Sequence, residues 1–208
     1  VVLNIDNDHL DYYGSMGELK FAFKRFALMT RFMIFANCDD KNTMDVMYTL
    51  DRRVRTFGIQ NGGDYQAIHV QEYKPGFYEF DLKEWDQKET GHIRLGVPGY
   101  HNVYNALAMC AVCRCVGLSV EQCAAAAEAF RGAGRRFEVY GECNGAVVMD
   151  DYAHHPTELR ATLNTAKKLG YKRLIAVHQP FTYSRTKLLF NDFVDVLQIP
   201  DVTVLTPI

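Results

Sequence analysis

The densest run of reactive side chains in this 208-residue sequence is Asp150-Asp-Tyr-Ala-His-His-Pro-Thr-Glu158. Two aspartates, a phenol and two imidazoles at one junction suit a metal cage, a catalytic site or a crowded helix cap. The cage fails on geometry: His154 and His155 are adjacent, so their rings do not readily face one ion, and no H-x3-H spacing occurs. Pro156 fits the first position of a helix, where its missing N–H costs nothing. His155 is left with no role beyond capping that helix. A second stretch, His178-Gln-Pro-Phe-Thr-Tyr-Ser-Arg185, also follows an apolar strand and precedes a helix. In a parallel sheet the two stretches share the rim at the carboxyl ends of the strands, where open α/β sheets bind ligands.

Three further clusters carry chemistry. Asp8-His9-Leu10-Asp11 combines hard oxygens with one imidazole, a set suited to magnesium or manganese bridging phosphates; a solvated acidic turn is the other reading. Asn102 and Asn105 stand three apart at a helix start, so their amides face the same way. Each carries donor and acceptor together, as an adenine edge requires, although asparagine is also an ordinary cap residue. Arg135-Arg136 sits in Gly132-Ala-Gly134-Arg-Arg136, where a guanidinium reaches phosphate bidentately from between two domains or simply decorates an exposed linker. Cys110, Cys113 and Cys115 form C-x2-C-x-C inside a helical pattern with only Cys123 nearby. That is a poor zinc set, and buried free thiols are the better reading.

These groups need elements to place them. Residues 1–5 read as a strand, 17–31 as a helix, 32–36 as a buried strand, 43–50 as a short helix and 54–57 as a strand. From 64 to 95 the pattern changes to strands at 67–71, 77–80 and 92–95, with Lys74-Pro-Gly76 supplying a turn, and predicts an antiparallel flap on an α/β body. Helices follow at 100–116 and 120–130, the second opened by a capping box at Ser119-Val-Glu-Gln122. Beyond the Gly132–Arg136 stretch, strands at 137–142 and 146–149 join at Asn144-Gly145. Helix 156–169, strand 173–177, helix 185–197 and strand 202–205 then alternate, which signals a parallel, doubly wound sheet. The boundary divides the chain into 1–134 and 135–208.

Bulk properties narrow the classes. Apolar residues make up 48% and charged residues 23%, ordinary for a globular protein. A formal net charge of −2 gives no electrostatic ground for a nucleic-acid partner. No apolar run reaches the roughly 18–20 residues that span a bilayer and no signal peptide is seen, so the expected location is cytoplasmic, with no membrane partner. The sequence begins at Val1 and ends at Ile208 inside an apolar run, and reads as a piece of something longer.

Five stretches in fixed order, Asn4-Ile-Asp-Asn-Asp-His-Leu-Asp11, Gly99-Tyr-His-Asn-Val-Tyr-Asn-Ala-Leu-Ala108, Gly134-Arg-Arg-Phe-Glu138, Asp150–Glu158 and Gln179-Pro-Phe-Thr-Tyr-Ser-Arg-Thr186, together resemble the Mur ligase family over essentially the whole chain. The resemblance implies an α/β fold: the remainder of a central mixed-sheet, ATPase-type domain (1–134), followed by the start of a Rossmann-like, doubly wound carboxyl-terminal domain (135–208). It implies an ATP-dependent amide ligase of peptidoglycan precursor synthesis, with ATP and Mg2+ as cofactors. Within the family the motifs look most like the members that add L-alanine to UDP-N-acetylmuramate through an acyl phosphate. His9 would then hold magnesium, Asn102 and Asn105 the adenine, Arg136 the ATP phosphates and Asp151 the ribose hydroxyls. Tyr152, His154 and Arg185 would face the L-alanine and the muramoyl carboxylate, with His9, His154 and Arg185 as the catalytic groups.

There are departures from the family pattern. No G-x4-G-K-[ST] loop occurs, and neither the upstream acidic magnesium ligand nor a UDP-binding domain is seen, so this chain alone is expected to be inactive. The family's Phe-Gln-Pro-His also has His178 and Phe181 exchanged here, and His178 is expected to supply the imidazole from the strand end. The alternatives are a ligase that recycles a murein tripeptide onto the same sugar nucleotide, disfavoured by Tyr152 and Glu158, and a non-catalytic nucleotide-binding module.

Overall fold

A computed structural model describes residues 1–86 and 91–208. Its first part is a five-stranded mixed sheet of β1 (Ile34–Asn37), β2 (Val54–Gly58), β3 (Tyr65–Lys74), β4 (Phe77–Glu84) and β5 (Gly91–Pro98), hydrogen-bonded in that order. β1, β2 and β3 run parallel, with Ile34 opposite Val54 and Phe57 opposite Tyr65; β3, β4 and β5 are antiparallel. The expected flap is therefore no separate layer, because β3 continues the parallel body before the chain turns back on itself. The expected strand at 1–5 shrinks to one parallel bridge, Val2 to Ala36. Beyond it the backbone of Leu3 and Ile5 is held by side chains, with Asn37 Nδ2 donating to Leu3 O at 2.9 Å and Asn42 Nδ2 to Ile5 O at 2.8 Å.

Period-2 alternation along β1 serves two cores. Phe35 joins Phe57, Phe80, Ile93, Val103 and Leu107 under α4 (His101–Cys115) and α5 (Val120–Ala129). Ile34 and Ala36 instead meet Ile5, Leu19, Met44 and Met47, below α2 (Met16–Leu28) and α3 (Lys41–Met47). A four-residue helix, Leu10–Tyr13 (α1), precedes α2. Ser119 and Gln122 form the expected capping box.

The second part begins with a hairpin of β6 (Glu138–Cys143) and β7 (Ala146–Asp150), turned at Asn144 and Gly145 with φ of 50° and 80°, as a type I′ turn requires. α6 (Pro156–Lys168) follows, then β8 (Ile175–His178) paired in parallel with β9 (Val202–Leu205). The single helix expected at 185–197 is two, α7 (Tyr183–Leu188) and α8 (Phe190–Val196). Leu189, with ψ of 26°, breaks it. Leu189, Phe193 and Val196 are all buried at helical spacing, so the apolar period reads straight through the break.

Candidate active site

The Val2 bridge sends Ile5–His9 onto the carboxyl rim of β1. Asp40 Oδ1 accepts from Ile5 N at 3.2 Å and caps α3 through Thr43 N at 2.7 Å. His9 takes a left-handed conformation (φ 56°) at the start of α1, and its exposed ring brings Nε2 to 3.4 Å from Asp8 Oδ2.

The N-terminus of α6 meets this strip. Pro156 occupies the first turn, and His155 is the cap, its Nδ1 accepting from Thr157 N at 3.3 Å while Glu158 completes a capping box. An accepting Nδ1 leaves the proton on Nε2, which donates to Asn7 O at 3.1 Å, so His155 joins the two parts of the chain. Thr157 Oγ1 adds a bond to Asp6 Oδ2 at 2.7 Å. Arg185, nearly buried, donates from Nε and Nη2 to Asp8 Oδ1 at 3.0 and 2.8 Å, and from Nη1 to Phe181 O at 2.8 Å. The planar fork expected to grip a substrate carboxylate thus grips a carboxylate of the chain. Partial burial would raise the pKa of Asp8, but Arg185 and the His9 amide outweigh it and hold the group below the usual range.

Beside the Gly132–Arg136 stretch, Asp151 is pinned by both oxygens, Oδ2 accepting from Phe137 N and Oδ1 from Ala153 N, each at 2.8 Å. Each oxygen keeps a further lone pair for a sugar hydroxyl. Arg135 Nε donates to Asp150 Oδ2 at 3.2 Å, and its guanidinium lies 4.7 Å from the centre of the Tyr152 ring. Tyr152 meets His154 edge-on at 5.2 Å. His154 Nδ1 is 2.8 Å from Tyr152 O, so Nδ1 carries the proton and Nε2 is the nitrogen with a lone pair to offer. Arg136 Nη1 stands 4.0 Å from Glu158 Oε1, with its guanidinium more than half exposed.

Asn102 and Asn105 do face together. Asn102 Nδ2 donates to Pro98 O at 2.7 Å, and Asn105 Nδ2 donates to Asn102 Oδ1 at 2.8 Å. Neither caps the helix, whose N-cap is Tyr100. Asn105 is exposed and keeps its carbonyl oxygen and one N–H for a ligand edge. The neighbouring His101 is exposed, yet desolvation by its surroundings lowers its pKa, the charges of Asp151 and Arg136 acting on it in opposite directions.

His178 stands apart. Alternation along β8 turns Ile175 and Val177 outward and His178 inward, where it is buried, stacked on Phe193 at 5.8 Å, and has no partner for Nε2 among the described residues. The imidazole expected at the site from the strand end thus lies buried against Phe193 in this structure, while Phe181 is exposed. Among the described residues no group of three or more His, Cys, Asp or Glu is placed to hold a metal, and the cysteines are free. The contacts of Asp6, Asp8 and Thr157 were missed by sequence reasoning. All three lie inside the quoted motifs, but their pairing spans about 150 residues or more and no local signal gives it.

Residues 1–113 match the family model of the Mur ligase middle domain, and residues 135–207 that of the Mur ligase glutamate ligase domain. The chain belongs to the Mur ligase family. The UDP-N-acetylmuramate–L-alanine ligase of Caldicellulosiruptor bescii is 42% identical over the whole chain, which spans 46% of that relative. Among solved structures, the UDP-N-acetylmuramate–alanine ligase of Thermotoga maritima superposes with a TM-score of 0.77 at 29% identity, over 100% of this chain and 45% of that one. A murein peptide ligase of Psychrobacter arcticus gives 0.69 at 28%, over 98% and 42%. The chain thus spans less than half the length of each of these three relatives. No helix among the described residues is long and apolar enough to cross a membrane.

Proposed function

We propose that the chain supplies part of an ATP-dependent ligase that joins the amine of L-alanine to the carboxylate of UDP-N-acetylmuramate. The observation that carries this reading is the meeting of Asp6–His9 with His154–Thr157 and Arg185 at one strand-end rim, across the boundary proposed at residue 134. The sugar carboxylate attacks the terminal phosphorus of ATP and releases ADP. The amine then attacks the acyl phosphate, and the tetrahedral centre collapses to amide and inorganic phosphate.

Positioning and charge stabilisation do most of this work. Arg136 faces the phosphates from the hinge, Asn102 and Asn105 the adenine, and Asp151 the ribose. Arg185 is already built as a carboxylate fork and takes a substrate carboxylate in place of Asp8. Tyr152 and His154 flank the incoming amino acid, with His154 Nε2 as the free lone pair. For magnesium the donors present are Asp8 Oδ2 and His9 Nε2, a partial set that suits an ion retaining several waters and phosphate oxygens. Magnesium would supply charge neutralisation between phosphate oxygens.

Phosphate release by the full-length protein tests the reading: it requires ATP, UDP-N-acetylmuramate and L-alanine together. The likeness to a murein peptide ligase supports a second reading, with a tripeptide as the amine donor. Preferential use of tripeptide over alanine in direct competition overturns the first reading in favour of the second, and ATP binding without any ligation points to a nucleotide-binding module.

A further inference from the structure

The turn that closes β1, Asn37-Cys-Asp-Asp40, lies on the same rim but has no place in the roles above. Asp39 is its most heavily bonded group. Its Oδ2 accepts from Ile59 N at 2.6 Å and Gln60 N at 3.0 Å, and Oδ1 from Asn61 N at 2.8 Å. A fourth donor comes from far away in sequence: the hydroxyl of Tyr104, 2.9 Å from Oδ2. Tyr104 lies on α4 between Asn102 and Asn105. Burial works to raise the pKa of Asp39, but these donors hold it below the usual carboxylate range. Burial and the Asp39 charge push the Tyr104 phenol far up, so it remains a donor.

The loop after β2 is locked from inside as well. The Cys38 thiol lies 3.2 Å from Phe57 O and 2.8 Å from Gly62 O, and burial with the Asp39 charge pushes its pKa up to about 11, so it stays protonated. Gly58 admits no side chain, since a Cβ there would sit 2.5 Å from Cys38 Sγ. α4, by contrast, starts without a side-chain cap: its N-cap Tyr100 makes no such bond. The polar anchors at its start are Asn102 on Pro98 and Tyr104 on Asp39.

We propose that Asp39 is a positioning residue for nucleotide recognition: through the Tyr104 hydroxyl it sets the rotation of α4 against the rigid loop 59–61, and with it the direction in which the Asn102–Asn105 pair presents its amides. Amide pairs tolerate misplacement of only about 0.5 Å before their selectivity suffers. The inference rests on the reading of Asn102 and Asn105 as base contacts.

Tyr104→Phe removes one oxygen and leaves the buried Val103 and Leu107 in place. In the full-length protein, calorimetry with Mg-ADP is expected to show affinity reduced by about tenfold, the scale of one lost hydrogen bond to a charged group. KM for ATP rises in step, while kcat at saturating ATP and KM for the amino acid stay unchanged. Asp39→Asn shows the same split. A purely structural role would lower the melting temperature and shift the KM values of all substrates together, which would overturn the proposal. So would unchanged Mg-ADP affinity in Tyr104→Phe alongside weakened affinity in Asn105→Ala. If Asn105→Ala itself binds Mg-ADP normally, the base-contact reading has failed instead. The anchor is then judged in the free protein: side-chain amide resonances of Asn105 that do not move on Tyr104→Phe overturn it.

Discussion

Asp39 and Asp151 both sit at strand ends and both bind backbone amides, yet the regions around them differ. Asp39 and Asp64 stand over a deep core; Asp64 takes Thr56 N at 2.7 Å and Arg55 Nη1 at 2.6 Å. Of the largest fully buried side chains, Phe57, Phe80, Leu82, Ile93 and Leu107 belong to the first part of the chain and only Val196 to the second. The second part gathers a core of Leu159, Leu163, Leu189, Phe193 and Val196 while leaving Ile175, Val177, Val202 and Val204 exposed on one face of β8 and β9. Strands of a parallel sheet are apolar on both faces because both are normally covered; among the described residues one face of this pair is bare. The first region is thus the more deeply packed frame. The second packs a smaller core within the described residues, and the start of α6 and Arg185 bond to the first region.

The largest expected effect breaks that contrast directly. Phe80→Ala empties a fully buried site in the larger core and costs about 4–5 kcal/mol, whereas Phe193→Ala falls at or below about 3 kcal/mol, because the thin core around it can collapse. Urea denaturation followed by the fluorescence of Trp85, the single tryptophan, reports the first region, and far-ultraviolet circular dichroism reports both. Phe80→Ala shifts the Trp85 midpoint strongly and Phe193→Ala leaves it in place. Equal shifts would mean that the regions unfold as one unit and that the contrast has no energetic content.

Next in size is the contact between the regions. Arg185→Met leaves the partly buried Asp8 carboxylate without its fork and costs about 1–3 kcal/mol, the range for losing a charged hydrogen-bond partner. The loss falls on the junction, so hydrogen exchange should speed up at the start of α6 and at residues 5–9 while the amides of β4 and β5 remain protected. Unchanged exchange at those junction residues would show that His155 and Thr157 suffice to hold the two parts together.

These contacts also mark how far the sequence could be read. Pro156 and Ser119 announce their helices because capping is local chemistry, and Asn144-Gly145 announces its turn through left-handed backbone that few residues tolerate. The reactive clusters were legible for the same reason, as short runs at strand ends. What stayed hidden was pairing across distance: Asp39 with Tyr104, Asp8 with Arg185, and the parallel link of β3 to β2 that turned an expected flap into sheet. For His178 the neighbours in sequence suggest a role at the rim, while the pleat of β8 decides which way its side chain points.

The smallest effect separates the regions by the sign of their pH dependence. Burial lowers the pKa of His178 below the ordinary 6.5. The unfolded chain therefore binds that proton more readily, and stability from this group is present above about pH 6.5 and lost as pH falls. His92 on β5 does the opposite. Asp81 Oδ1 at 3.0 Å raises its pKa, burial opposes, and Glu79 Oε2 at 3.3 Å adds to the rise; His69 shares Asp81, and Arg94 and Gln71 share Glu79. Its contribution is full below about pH 6.5 and disappears as pH rises through the folded-state value. Denaturation midpoints followed from about pH 5 to 8 should then respond in opposite directions to two substitutions. His178→Phe removes an unsatisfied buried nitrogen, keeps the stack on Phe193 and stabilises by up to about 1 kcal/mol, most at the acid end. His92→Gln destabilises only at the acid end and converges with the parent as pH rises. A His178→Phe protein whose pH profile parallels the parent would show that His178 is hydrated rather than buried, and the second region would then be looser still than its thin core implies.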